Sequence, residues 1–155
     1  MTRAAEPASP AAAWVVDASV GVKFVLREPG SDAARALFAA LGEGRVEALH
    51  VPDLFYAECA NVLWKHGRRS GLPSPALDRA MATIDGLCLR SEPAAGLARD
   101  ALRTALALGI SAYDACYVVL AARREVPLVT ADGRLVRALA GTRHRACRLD
   151  AWRAA

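Results

Sequence analysis

An α/β sandwich with a mostly parallel central sheet is the fold this sequence predicts, and three observations predict it. Short apolar strands alternate along the chain with segments of helical period. Those strands are apolar, as in parallel sheets whose faces are covered by helices. The 155 residues show no internal repeat, low-complexity linker or domain boundary, which fits one domain with its own core.

The first strand is WVV, Trp14 to Val16, and it ends at Asp17. Ahead of it, residues 1–13 are rich in Ala, Pro and Ser and are expected to form a loose tail, leaving 14–152 as the domain. That tail has no continuous apolar stretch before a cleavage site, so it does not read as a secretion signal. Ala18-Ser19 open a helix over Val20 to Leu26, Glu28-Pro29-Gly30 break it, and Ser31-Asp32 cap the next, which runs to Leu41. Gly42 and Gly44 bracket a turn before a second strand, Val46 to Val51. Pro52 suits the first turn of a helix reaching His66 and ending before Gly67, followed by a basic turn, Arg68-Arg69-Ser70-Gly71. Another helix starts at Ser74, a short strand covers Cys88 to Arg90, and Glu92 to Leu108 form an amphipathic helix ended by Gly109. Ser111 to Ala122 then read as a helix apolar on almost every side, as a fully buried one is. The strand Val126 to Thr130 runs into Ala131-Asp132-Gly133, a short helix covers Arg134 to Ala140, and a last strand spans Ala146 to Leu149.

Composition narrows the classes. Hydrophobic residues make up 54% and charged ones 23%, which argues for a globular chain. No apolar run reaches the roughly 20 residues that span a bilayer, so no membrane partner is expected. Cys59, Cys88, Cys116 and Cys147 are widely spaced, form no C-x-x-C pair and lie in apolar segments. Reduced, buried thiols in a cytoplasmic protein fit that better than disulfides or zinc. The histidines, His50, His66 and His144, are scattered, against a histidine-rich metal site. Net charge is +4, and only Lys23 and Lys65 of the 20 basic residues are lysines. Arginine binds phosphate bidentately, so this balance permits a nucleic-acid partner.

Asp114 is the one charged residue between Ser111 and Ala122. A carboxylate on a buried helix is costly unless it is paired or coordinates a metal. It has a structural reading as the last member of an S-x-x-D capping box behind Ser111. Capping gives no reason to surround it with Tyr113, Cys116, Tyr117 and Val118. Open parallel sheets form sites outside the carboxyl ends of their strands, and Asp17 and Asp132 fall at two such ends. Each has a bland alternative, Asp17 as a helix cap and Asp132-Gly133 as a turn pair. Glu58 lies mid-helix among Leu54, Phe55, Asn61 and Val62 at helical spacing; an edge residue reaching solvent is its alternative. Together, two strand-end aspartates and two carboxylates on apolar helix faces are expected to converge into one acidic pocket. Such a pocket does not hold four charges without a cation. All-oxygen ligands select hard Mg2+, with Mn2+ able to substitute. Divalent metal and carboxylates are the equipment for phosphodiester hydrolysis.

The blocks VVDAS, YAECANVLWK, ISAYDACYVVLA and LVTADGRL resemble the PIN-domain family, and within it the VapC-type ribonuclease toxins of prokaryotic toxin–antitoxin pairs. They occur in the family's order and spacing and span nearly the whole chain from Trp14 to Leu139. The resemblance implies a PIN-like three-layer α/β/α sandwich, with a catalytic, metal-binding quartet of Asp17, Glu58, Asp114 and Asp132. Asp17 and Asp114 are then the main direct ligands, and Glu58 and Asp132 bind directly or through water. Ser19 and Thr130 match hydroxyls that orient carboxylates or water, and Asn61 matches a frequent helix amide. The same resemblance implies RNA as substrate, in-line attack by metal-activated water, and products with 5′-phosphate and 3′-hydroxyl ends. It further implies a homodimer and a small cognate antitoxin whose tail occupies the active-site groove. The tail of about a dozen residues before the first strand is a departure, since family members commonly begin almost at once. Arg134 stands where it would meet a phosphate, and Lys65, Arg68 and Arg69 where they would line an RNA path. A solvated helix start and a solvated turn are the alternatives there.

The expectation is therefore a metal-dependent endoribonuclease, the toxin component of a toxin–antitoxin system. The alternative is a catalytically inactive PIN-like binding module, against which the intact quartet argues. A phosphoryl-transfer domain with Asp17 as nucleophile falls behind, because the haloacid-dehalogenase pattern needs a second aspartate where Ser19 stands. A dinucleotide-binding domain needs a Gly-rich turn that ASVGVK does not supply.

Overall fold

A computed structural model describes residues 12–154; the expected tail, 1–13, lies outside the described residues but for its last two. In chain order the elements are β1 (Trp14–Val16), α1 (Ala18–Val25), α2 (Ser31–Gly42), β2 (Leu49–Pro52), α3 (Leu54–Ser70) and α4 (Ser74–Asp85). There follow β3 (Arg90–Glu92), α5 (Ala98–Leu108), α6 (Ala112–Arg124), β4 (Leu128–Thr130), α7 (Gly133–Leu139) and β5 (Ala146–Arg148). The five strands form one sheet in the order β3-β2-β1-β4-β5, and every neighbouring pair is parallel.

Strand order locates the functional edge. From β1 the chain steps outward through β2 to β3, then returns to the other side of β1 for β4 and β5. Right-handed crossovers put α1–α4 on one face and α5–α7 on the other. Accordingly α1 packs with α2, α3 and α4, while α5 packs along α6. The direction reverses between β1 and β4, and the crevice outside the carboxyl ends at such a switch point is where open parallel sheets bind ligands. The inner strands are apolar because helices cover both faces: Val15, Val16, Leu49, Val51, Leu128 and Val129 are fully or almost fully buried.

Several element ends differ from the expected ones, each for a local reason. The second strand starts at Leu49 and not Val46, because Arg45 and Val46 both donate backbone N–H groups to Ala40 O and close α2. β3 starts two residues late, at Arg90, after a tight turn in which Leu89 N donates to Leu87 O. Glu92 belongs to β3 and not to a helix. Pro93 holds the residue before it extended, and α5 begins only at Ala98, after a short 3-10 turn over Ala94–Gly96. In the same way Val126 N closes α6 on Ala121 O, so β4 begins at Leu128. Pro52 ends β2 and does not open a helix. Gly67 does not end α3: a Cβ there would lie 2.4 Å from Leu77 Cδ1, so glycine is what lets α4 press against this helix. Arg68 and Arg69 therefore sit on the last helical turn and not in a loop.

Cys59 and Cys116 are buried, as expected, Cys147 is half-buried, and Cys88 is exposed; all four are free thiols. The exposure of Cys88 corrects the expectation of four buried thiols, since it lies on the turn that precedes β3. Among the described residues no single helix is long and apolar enough to cross a membrane.

Candidate active site

The β1–β4 register builds the site. Val15 faces Leu128 and Val16 faces Val129, so Asp17 and Thr130 come next, side by side. Asp17 is 6% exposed and stands at the start of α1, yet its side chain makes no capping bond there. Its Oδ2 instead accepts from Thr130 Oγ1 at 2.6 Å and from Ser19 Oγ at 2.7 Å. Both hydroxyls are held in turn, by Asp132 N on Thr130 Oγ1 and Ala131 N on Ser19 Oγ, each at 3.0 Å. Burial pushes the Asp17 pKa above the ordinary carboxylate value. The Thr130 and Ser19 hydroxyls and the Ala18 N–H oppose that rise, and the Asp114 charge adds to it.

Glu58 arrives from α3. A Cβ at Gly21 of α1 would lie 2.5 Å from Phe55 Cζ, so the absence of one is what seats α3 on α1. That brings Glu58, half-buried, within electrostatic reach of Asp17 and Asp114. Tyr117 of α6 donates its hydroxyl to Glu58 Oε2 at 2.5 Å. Burial pushes the Glu58 carboxyl up to about 7; the Tyr117 bond restrains the rise, and Asp17 and Asp114 increase it.

Asp114 sits on the first turn of α6. Ser111 Oγ accepts from Asp114 N at 3.0 Å, which is half of a capping box. Among the described residues the carboxylate makes no hydrogen bond in return. The helix is buried from Ala115 to Ala121, but Tyr113 is 66% exposed, so the expectation of a fully buried helix fails at its first turn. Asp114 lies at the border between core and solvent. None of Asp17, Glu58 and Asp114 forms an ion pair with a basic side chain among the described residues.

Asp132 behaves differently. Its Oδ1 accepts from Arg134 N at 2.8 Å and caps α7, with Arg134 Nε 3.9 Å away. It is not among the charges that raise Glu58, and its tie to Asp17 runs through its own backbone N–H and Thr130. The Asp114 charge helps to raise Asp17, and Asp17 and Asp114 help to raise Glu58, while Asp132 caps α7 at the same edge. Among the described residues, no three His, Cys, Asp or Glu side chains close around an ion-sized point. Asp132 is half-buried at that edge, its Oδ1 caps α7, and its N–H reaches Asp17 through Thr130 Oγ1.

The candidate RNA-contacting residues are exposed. Lys65 and Arg69 follow Glu58 by about two and about three helical turns, so they share its side of α3. Arg68 is turned off that line and stacks over the Trp64 ring, 5.2 Å from its centroid. Asn61 is exposed on the same helix, and the Arg134 side chain is exposed at the start of α7. The partner of Glu58, Tyr117, is a residue that the sequence shows only as part of the apolar surroundings of Asp114. A buried tyrosine needs a partner for its hydroxyl, and that was the available signal.

A cavity of about 570 Å³ lies elsewhere, between α5, the end of α6 and the segment 141–145, and none of the four carboxylates lines it.

The family model for the PIN domain matches residues 14–140. Ribonuclease VapC3 of Pyrobaculum aerophilum is 36% identical over 127 residues, covering 78% of this chain and 90% of the relative. The crystal structure of Mycobacterium tuberculosis VapC20, described as a sarcin–ricin loop cleaving toxin, superposes with a TM-score of 0.62 at 18% identity, covering 81% of this chain and 94% of that one. VapBC2 of Rickettsia felis, solved bound to a DNA fragment from its promoter, superposes at 0.60 with 12% identity, covering 88% and 98%. At those identities the two structures speak for the fold alone, whereas the family model and the VapC3 relative speak for descent. On both grounds, the chain belongs to the PIN-domain family and, within it, to the VapC type.

Proposed function

We propose that this protein is an endoribonuclease of the toxin type, hydrolysing RNA phosphodiester bonds with Mg2+, or Mn2+ in its place, held beyond the end of β1. One observation carries the reading: Asp17, Glu58 and Asp114 lie within electrostatic reach of one another and have no basic partner among the described residues. Like charges so arranged are costly until a cation joins them. The donor set is all oxygen, with Asp17 buried and Glu58 and Asp114 half-buried beside it. Mg2+ is commonly held by one or two carboxylates, its other positions left to water and substrate phosphate, so carboxylates that do not enclose an ion fit it. Bound there, the metal supplies an activated water and positive charge at the scissile phosphate.

The chain's own residues do the rest. Asp17 and Asp114 hold the metal directly, and Glu58 and Asp132 do so directly or through water. Ser19 and Thr130 occupy Asp17 Oδ2 and leave Oδ1 to the cation. Lys65 and Arg69, in line with Glu58 along α3, meet backbone phosphates, with Arg68 and Arg134 at the margins and Asn61 as a polar contact. The VapC kinship supports an antitoxin partner. A homodimer and a cytoplasmic location belong to the same reading.

The test is cleavage of a panel of structured RNAs by purified protein with Mg2+, Mn2+ or EDTA, beside Asp114→Asn. Cutting that needs metal and is lost in the variant supports the reading, and cutting that survives in Asp114→Asn overturns the metal site. One observation favours the second reading, an inactive binding module: Asp132 is committed to capping α7. Mn2+ titration separates the two, because an inactive module would leave the acidic edge without metal.

A further inference from the structure

We infer that Tyr117 is the positioning residue for Glu58, holding Oε2 by its hydroxyl so that Oε1 is the oxygen offered to the cation. The inference rests on the proposed reading of the acidic edge as a metal site.

Tyr117 is fully buried and is the largest side chain in the core with no exposure. It sits on α6, which packs against β1 and β2, so its ring is fixed by its surroundings. Its one side-chain polar atom crosses to a residue 59 positions away in sequence and meets a half-exposed glutamate. A glutamate on a helix surface has three rotatable side-chain bonds, and an unrestrained one spreads its carboxylate over several rotamers. A fixed hydroxyl removes that freedom at one oxygen and leaves the other open.

The same device appears at Asp17, where Ser19 and Thr130 share Oδ2. At both carboxylates the holding groups are hydroxyls and never an ammonium or guanidinium. That choice matters: a basic side chain would orient the carboxylate equally well but would also neutralise it and repel an incoming metal. A neutral donor orients without discharging. Tyr117 follows Asp114 by one helical turn, so α6 supplies one carboxylate itself and aims a second. Outer hydrogen-bond partners of this kind fix ligand orientation, and losing one typically costs about 10–100-fold in metal affinity.

The experiment is calorimetric titration of Mn2+ into the full chain as wild type, Tyr117→Phe, Glu58→Gln and the double variant, with a thermal midpoint for each. Tyr117→Phe keeps the ring and removes only the hydroxyl. The expected result is about a tenfold weaker affinity for Mn2+ in Tyr117→Phe, and no further loss when the same change is made in the Glu58→Gln background. A merely structural role for Tyr117 would give equal losses in both backgrounds, and that result overturns the inference. Wild-type affinity in Tyr117→Phe overturns it as well, while the metal reading stands. A wild-type protein that binds no Mn2+ overturns the metal reading and the inference with it. If Tyr117→Phe folds poorly, Tyr117→Met repeats the comparison with a more adaptable apolar side chain.

Discussion

At the carboxyl edge of the sheet, Asp17, Glu58 and Asp114 have no basic partner among the described residues, and hydroxyls hold the carboxylates of Asp17 and Glu58. Around the large cavity near the start of β4 the opposite holds. There Asp100 accepts from both Arg103 and Arg123, and Arg145 donates to Glu125 O. The Arg123 hydrogen bond is the main reason the Asp100 carboxyl lies below its ordinary value, whereas burial lifts Asp17 and Glu58 above theirs. One region pairs its aspartate with two arginines beside a cavity; the other holds carboxylates with no basic partner among the described residues. Unanswered charge, more than enclosed volume, marks where a cation and its chemistry belong.

That contrast breaks or holds in order of size. The largest effect belongs to Asp114→Asn, which keeps the shape and removes the charge. Its RNA cleavage is expected to fall by more than the roughly 100-fold that loss of an outer partner can cost, with an unchanged circular dichroism spectrum. Wild-type turnover in that variant would end the distinction between the two regions.

Next comes the pH dependence of stability. Folding raises the Glu58 pKa from 4.5 to about 7. The protonated form is thus the one that folding favours, so its stabilising contribution is present below about pH 4.5 and is lost as pH rises through about 7. Without metal, Glu58→Gln is expected to melt higher than wild type at pH 8 and to differ less at pH 5. Divalent metal competes with the proton, so Mg2+ or Mn2+ should raise the wild-type thermal midpoint more at pH 8 than at pH 5, and EDTA should reverse it. Equal stabilisation at both pH values would count against carboxylate ligation.

Thr130→Val tests the hydroxyl clamp. It leaves the buried Asp17 carboxylate one donor short, a loss of about 1–3 kcal/mol. The drop in melting temperature should be greater at high pH than at low pH, because the ionised carboxylate needs the donor and the protonated one does not. The smallest expected effect is the control, Asp100→Asn, which opens an exposed ion pair beside the cavity. Cleavage should equal wild type; a loss there would show that the two regions are coupled.

The element count and order were legible because helix and strand periods are local properties. β1 lies where the sequence predicts it, and α7 and β5 lie within a residue of their expected ends. The ends that moved did so through single hydrogen bonds or packing contacts, such as Ala40 O receiving Arg45 and Val46, or Gly67 lying under Leu77. Of the candidate site, the strand-end position of Asp17 was readable from the strand ends, whereas the orienting roles of Ser19 and Thr130 came from the family resemblance. The Tyr117 bond to Glu58 was not readable, because it joins residues 59 positions apart that only packing brings together.

By itself, then, the sequence determined the alternating α/β plan, the two acidic strand ends, the single carboxylate on an apolar helix, and the family those blocks belong to. Tertiary structure alone decided the switch point between β1 and β4, the exposure of Tyr113 beside Asp114, and the reach of Tyr117 to Glu58. The physical reason is separation along the chain. Periodicity and capping act within a few residues, whereas charge coupling and side-chain partnership act across space between elements that only packing brings together.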